Sequence, residues 1–180
     1  MATEKMRKLV YWPSDVLKKP SEPVTEAPSK ELIQHMTQTM LNHNGAGISA
    51  VQVGVHKRIV VVNAPKWTLG GVSGGSSPMV FVNPVIESFG PTKTPMQEGC
   101  LSVPGIMEVV PRHTEIVVTF LDEDMALHQS VTFNGVVAHV LQHEIEHLDG
   151  KMFLQYTEPK RMSGILGHMM RLRKSGQLRG

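Results

Sequence analysis

The pentapeptide His143-Glu144-Ile145-Glu146-His147 sets two imidazoles four residues apart, with a carboxylate directly after the first. On a helix of 3.6 residues per turn, positions four apart lie one above the other, so both rings can converge on one cation while Glu144 lies beside it. This is the chemistry of metal-assisted hydrolysis, with nitrogen ligands for an ion and a carboxylate to carry a proton. Two imidazoles are too few, because a catalytic ion normally takes three protein groups and keeps an open position. The single cysteine, Cys100 in Gln97-Glu98-Gly99-Cys100-Leu101-Ser102, is a candidate soft third ligand, although a lone cysteine also serves as a small apolar residue. A further stretch, Gly45-Ala46-Gly47-Ile48-Ser49-Ala50-Val51-Gln52-Val53-Gly54, joins a glycine-rich turn to an amide side chain. Its glycines let backbone approach a ligand closely, and Gln52 can donate to a developing oxyanion. His139 extends the ladder of His143 and His147, but the three span about 12 Å of helix, too far for one ion held at about 2.1 Å.

These residues need elements that hold them. Gly135 and Gly150 bracket a run in which Val137, Val140, Leu141, Ile145 and Leu148 recur at helical spacing, so a buried helix is expected from about 136 to 149. Ser29 is a plausible N-cap for a first helix over about 30–43, with Leu32, Ile33, Met36, Met40 and Leu41 on one face. Before it, Pro13, Pro20, Pro23 and Pro28 imply an extended arm pinned by Tyr11 and Trp12. Arg58–Asn63 reads as a buried strand and Met79–Ile86 as a second, placed at an edge or bulged at Pro84. The glycine-rich segment between them, Pro65–Pro78, reads as a flexible loop. Pro104 and Pro111 are expected to break any regular ladder after Cys100. Glu115–Leu121 and Leu127–Phe133 alternate as two antiparallel strands joined across Asp122-Glu123-Asp124. Lys151–Leu154 reads as a short strand, and Glu158-Pro159 opens a basic helix, about 159–175, with Ile165, Leu166, Met169 and Leu172 on one side. With strands gathered around one helix and no regular strand–helix alternation, the fold class is α+β.

At 180 residues and 41% apolar content, one soluble globular domain spanning 1–180 is expected. No apolar run is long enough to span a bilayer, and the N-terminus lacks the apolar centre of a secretory signal. One cysteine cannot form an internal disulfide, and a metal-bound thiolate needs reducing surroundings, so cytoplasm or an organelle interior is expected. The net charge of +2 hides an asymmetry. Lys160, Arg161, Arg171, Arg173, Lys174 and Arg179 follow Glu158 with no acid among them, which leaves the rest net acidic by four.

G-x-G-x-x-A-x-Q, E-G-C-L-S and Q-H-E-x-x-H, in this order and at these separations, resemble peptide deformylase over about Ser29–Leu154. The resemblance implies antiparallel or mixed sheets packed around the metal helix, and removal of formyl from the N-terminal formyl-methionine of new polypeptides. It implies Cys100, His143 and His147 as metal ligands, ferrous iron as the native ion, and nickel, cobalt or zinc as substitutes. Glu144 would be the general base, with Gln52 and the Leu101 backbone N–H as oxyanion donors. Ala46, Gly47, Gly99, Val136, His139 and Val140 would contact substrate, and Glu98, Arg112 and Glu146 would brace the ligands. It also implies ribosome association through the basic C-terminal helix. The chain departs from the family at His139, expected to be apolar, at Glu146, expected to be Asp and here expected to pair with Arg112, at Ser49, expected to be Ala, and at Met107, often Arg. His139 reads as a wall of the methionine pocket or as a half-buried histidine satisfied by a carbonyl. Two other readings compete. A zinc peptidase would draw a further ligand from beyond the motif, where Glu158 is available, and would leave Cys100 without a role. A scaffold that only binds a partner would have no use for all four catalytic groups.

Overall fold

The computed structural model describes residues 8–63, 68–69, 72–73 and 78–178. An arm crosses the surface through a 3-10 turn at Asp15–Lys18 and leads to α1 (Lys30–Asn42), where the Ser29 hydroxyl accepts from the Leu32 N–H as the expected cap. There follow β1 (Gly47–Ser49), a 3-10 turn at Ala50–Val53, β2 (Ile59–Val62) and a two-stranded hairpin of β3 (Thr68–Leu69) and β4 (Val72–Ser73). That hairpin corrects the expected loop over Pro65–Pro78, the remainder of which lies almost wholly outside the described residues. Then come β5 (Met79–Phe89), β6 (Lys93–Cys100), β7 (Val103–His113), β8 (Glu115–Leu121), β9 (Leu127–Asn134), α2 (Gly135–Leu148) and α3 (Pro159–Lys174).

The main sheet runs β1-β2-β5-β8-β9, antiparallel throughout. β2 is apolar at every position because both its faces are covered. Val60 and Val62 join Phe81, Ile116, Val118, Phe120 and Phe133 beneath α2, which contributes Val137, Ala138, Leu141, Ile145 and Leu148. Ile59 and Val61 face the other way, with Val80 and Val82, against Met36 and Met40 of α1. β5 lies in the middle of the sheet, so Pro84 is accommodated by a bulge between Val82 and Val85 and not by an edge.

β6 and β7 pair as a separate two-stranded ribbon whose register shifts between Gly99–Met107 and Cys100–Val103, so the ladder is interrupted at Pro104 as expected, whereas Pro111 pairs opposite Pro95 without a break. In such a ribbon each strand has only one neighbour, so a proline whose nitrogen faces outward costs no ladder bond. Lys151–Leu154 is likewise not a strand: Phe153–Tyr156 forms a 3-10 turn whose Phe153 and Leu154 are buried with Met152, Leu17 and Val103. Ile165 and Met169 of α3 enter the same cluster, whereas Leu166 faces solvent. Gly150 ends α2 in the left-handed region at φ +72, and a side chain there would strike the backbone carbonyl of Lys18. α2 is thereby fixed at its end by the arm, with the sheet beneath it and the ribbon alongside.

Candidate active site

α2 carries His143 and His147 on the side that meets the end of β6, and their rings stand 4.9 Å apart at 78°. Cys100, the last residue of β6, brings its Sγ to 3.3 Å from His147 Nε2. The donor atoms of Cys100, His143 and His147 all lie within 4.8 Å of one another, the one such cluster among the described residues. Tetrahedral ligands at roughly 2.1–2.3 Å from an ion stand about 3.5 Å apart, so this sulfur and these two nitrogens fit a divalent metal. The remaining ring nitrogen of His143 is engaged too, since Nδ1 lies 2.9 Å from the Glu98 carboxylate. That contact sets the tautomer and leaves Nε2 for a ligand.

Behind His143 runs a chain of charges. Arg112 Nη2 donates to Glu98 at 2.9 Å and to Glu146 at 3.0 Å, which places the expected Arg112–Glu146 pair. The Tyr156 hydroxyl donates to the second Glu146 oxygen at 2.8 Å, and the Arg112 guanidinium stands over the Tyr156 ring. Burial alone would raise the Glu98 carboxyl, but hydrogen bonds from His143 and Arg112 outweigh it and hold the group below its ordinary range. Burial opposes protonation of His143, yet its hydrogen bonds with Cys100 and Glu98 push it up to about 10. His147 is held well below the ordinary imidazole range by burial and by the neighbouring His143.

Glu144 is 4% exposed, and its Oε2 has no hydrogen-bond partner. Burial pushes its carboxyl up to about 7, which suits a group that takes and returns a proton at neutral pH. Room for it comes from Gly47: a Cβ there would lie 2.9 Å from Glu144 Oε1 and 2.7 Å from Val140 Cγ1. Gly99 is crowded in the same way by Met107 Sδ, at 2.7 Å from such an atom. Gln52 is buried with its amide fixed in direction. Its Oε1 accepts from Ser49 N at 2.9 Å and from Ser49 Oγ at 3.1 Å, so the NH2 group points to Cys100 Sγ at 3.4 Å and Ser102 Oγ at 3.2 Å.

These groups open onto a cavity of about 530 Å³ whose lining includes Ala46, Gly47, Glu98, Gly99, Cys100, Leu101, Met107, Val136, His139, Val140, His143 and Glu144. All the residues expected to contact substrate therefore share one pocket. Glu158 does not join them, since it is paired with Lys160 at 2.8 Å and is largely exposed, which removes the zinc-peptidase ligand. Sequence reasoning missed Ser102 and Tyr156 as supports, and gave Ser49 no part in orienting Gln52. It also missed Gln142, whose amide accepts from His113 N at 3.1 Å and donates to His113 O at 2.8 Å, tying α2 to the end of β7. Gln142 is marked as the first letter of Q-H-E-x-x-H, but no role is read from it there.

The family model described as polypeptide deformylase matches residues 6–162. Among curated relatives, the peptide deformylase of Maricaulis maris is 33% identical over 172 residues, 94% of this chain and 95% of that protein. That of Chromohalobacter salexigens is 31% identical over 171 residues, 94% and 96% of the two chains. Among solved structures, the peptide deformylase from Ehrlichia chaffeensis superposes with a TM-score of 0.83 at 33% identity, covering 92% of this chain and 96% of that one. A family model spanning most of the chain, relatives matched over nearly their whole length and a shared α+β fold agree with the geometry of the pocket, and this chain belongs to the peptide deformylase family.

Proposed function

We propose that this chain carries out the family's reaction, hydrolysis of the N-terminal formyl amide of a polypeptide, with Cys100, His143 and His147 as metal ligands and Glu144 as the proton carrier. The observation that carries this reading is the convergence of one sulfur and two imidazole donors within 4.8 Å, beside a buried carboxylate one of whose oxygens, Oε2, has no hydrogen-bond partner. A divalent ion held there supplies Lewis acidity, which polarises a carbonyl and makes a water acidic near neutral pH. The donor set is chemically close to zinc sites, and ferrous iron as the native ion is proposed on the family resemblance, with nickel, cobalt or zinc able to replace it.

Glu144 accepts the proton of the attacking water and passes it to the amine nitrogen as the carbon–nitrogen bond breaks, giving formate and a free N-terminus. Negative charge grows on the formyl oxygen, where the Gln52 NH2 and the Leu101 backbone N–H donate. One donor of this kind is worth roughly 10²–10³ in rate. Gln52 needs no reorganisation for this, because Ser49 already holds its carbonyl away from the cavity. Ala46, Val136, His139 and Val140 form the wall that receives the methionine side chain, and the exposed face of α3 is proposed to meet ribosomal RNA during synthesis.

The test is formate release from formyl-Met-Ala by protein loaded with ferrous or nickel ion, beside Glu144→Ala and Cys100→Ala. Glu144→Ala is expected to bind metal normally and to lose at least about 10²-fold in kcat. Cys100→Ala is expected to lose both metal and activity. A Cys100→Ala protein that stays metallated and active would overturn the ligand set.

A further inference from the structure

The end of the ribbon leaves part of β7 without a partner strand. Val103 pairs with Cys100 and Met107 with Gly99, so Pro104, Gly105 and Ile106 face no residue of β6. These three bulge from the ladder beside Cys100, where the pairing that fixes the rest of the ribbon is missing. All three line the cavity, and so does Met107, which at 51% exposure stands at its mouth. The hairpin tip is held from one side, since Ser102 O accepts from Trp12 N at 2.9 Å and Ser102 Oγ from Gln52 Nε2 at 3.2 Å. The bulge is held from the other side, by α3. His168 Nε2 lies 3.0 Å from Pro104 O, and because a carbonyl only accepts, the ring nitrogen donates. The ring also lies close against the bulge, for a Cβ on Gly105 would stand 3.1 Å from that same nitrogen. Just past Met107, Arg161 of α3 pairs with the buried Glu108 at 2.7 Å, and Ile165 and Met169 pack with Val103 and Val110 in a cluster against which Ile106 rests.

We propose that His168 is a positioning residue for the substrate: through the Pro104 carbonyl it fixes the 104–106 bulge as a wall of the cavity before a peptide arrives. The proposal rests on the deformylase reading of that cavity. His168 is not among the residues that line it, so it acts through the wall and not by touching substrate. A segment without ladder bonds has to be ordered when a peptide binds against it, and a wall ordered in advance spares the complex that entropy. The reacting groups are fixed independently of α3. Ser49 orients Gln52, Gln52 and Trp12 hold the tip that carries Cys100, and Glu98 holds His143. Loosening the bulge therefore weakens peptide binding equally in the ground and transition states, which raises KM and leaves kcat in place.

The experiment measures kcat and KM for formyl-Met-Ala-Ser, and the rise of Tm on adding nickel ion, for wild type, His168→Phe and His168→Gln. Phe keeps a flat ring and loses the donor, whereas the Gln amide can still donate to the Pro104 carbonyl. His168→Phe is expected to raise KM about three- to tenfold, the worth of one hydrogen bond, with kcat within about twofold of wild type and the same response of Tm to nickel. His168→Gln is expected to restore KM to within about twofold. If His168→Phe does not fold, His168→Leu removes the same donor with a smaller side chain and is read in the same way. A side chain that matters only for the packing of α3 would lower Tm in the absence of metal and leave KM as in wild type, and that result overturns the proposal while the deformylase reading stands. A fall in kcat together with a lost nickel response, at unchanged KM, also overturns it, because α3 would then be holding the Cys100 tip and not the wall. Absence of formate release by metal-loaded wild type overturns the deformylase reading and the proposal with it.

Discussion

Gly47 shows how a residue without a side chain can decide where the proposed proton carrier stands. In the sequence it reads as room for a ligand, but in the structure the space it leaves is filled first by the protein itself, by Glu144 and Val140 of α2. Adding one methyl group forces both to move by several tenths of an ångström, and Glu144 has no hydrogen bond on Oε2 to hold it in register. Overpacking of this kind costs about 1–3 kcal/mol, and misplacing a catalytic group by about 1 Å can cost 10²-fold. Gly47→Ala is therefore expected to lose stability by about 1–3 kcal/mol in urea unfolding and to lose roughly ten- to hundredfold in kcat/KM. Wild-type kcat/KM in that variant would mean that the close approach of β1 and α2 plays no part in placing Glu144.

At the scale of elements, what could be read from the chain divides by how local its cause is. The metal helix was legible because Gly135, Gly150 and the spacing of Val137, Leu141, Ile145 and Leu148 are all carried within sixteen residues, and α1 was legible from Ser29 and its methionines for the same reason. The β6–β7 ribbon was legible only in part: Pro104 does coincide with the register shift beside Cys100, whereas Pro111 argues against a ladder until one knows that each strand has a single neighbour. Lys151–Leu154 looks like a strand because Met152, Phe153 and Leu154 are apolar, and only the cluster with Leu17 and Ile165 explains why the chain coils into a turn at Phe153–Tyr156. Within the site the donor types were legible from the sequence and the direction of the Gln52 amide is set locally by Ser49, but the contacts of Cys100 with His147 and of Glu98 with His143 are long-range facts. α3 is the case where structure narrows an expectation: of its basic residues, Lys160 pairs with Glu158 and Arg161 with Glu108, while Arg171, Arg173 and Lys174 have no acidic partner among the described residues and Arg179 lies outside them. Those three are the proposed contact with ribosomal RNA, and neutralising them reports on it more cleanly than deleting residues 160–180, because deletion would bare the groove that Ile165 and Met169 fill. Changing all three to Gln is expected to reduce co-sedimentation with ribosomes at low salt by several-fold and to flatten its salt dependence, while leaving cleavage of formyl-Met-Ala in place. Equal co-sedimentation of variant and wild type would remove α3 from the contact.

For the whole molecule, the site is a joint between parts that do not otherwise share a core. Cys100 arrives on the ribbon, His143 and His147 on the helix that packs over the main sheet, and Glu98 with Arg112 links the two through His143. An ion held by the three proposed ligands would close that joint in the folded state, whereas in the unfolded chain Cys100 lies more than forty residues from the two histidines and shares no site with them. Ligand binding to the native state alone adds about 2.7 kcal/mol at a free concentration one hundred times Kd, and for a chain of this length each kcal/mol moves Tm by about 2–4 °C. Loading with ferrous, nickel or zinc ion at that ratio is thus expected to raise Tm by about 5–10 °C, and a chelator to reverse it. Cys100→Ala separates this from unspecific binding, since it removes the ribbon's donor while leaving both histidines on their helix, and its Tm should respond to metal by no more than about 2 °C. An equal rise in wild type and Cys100→Ala would mean that the ion stabilises the helix without bridging to the ribbon, and that the joint between the two is made by the protein's own bonds, those of Glu98 and Arg112 and those between Gln142 and His113.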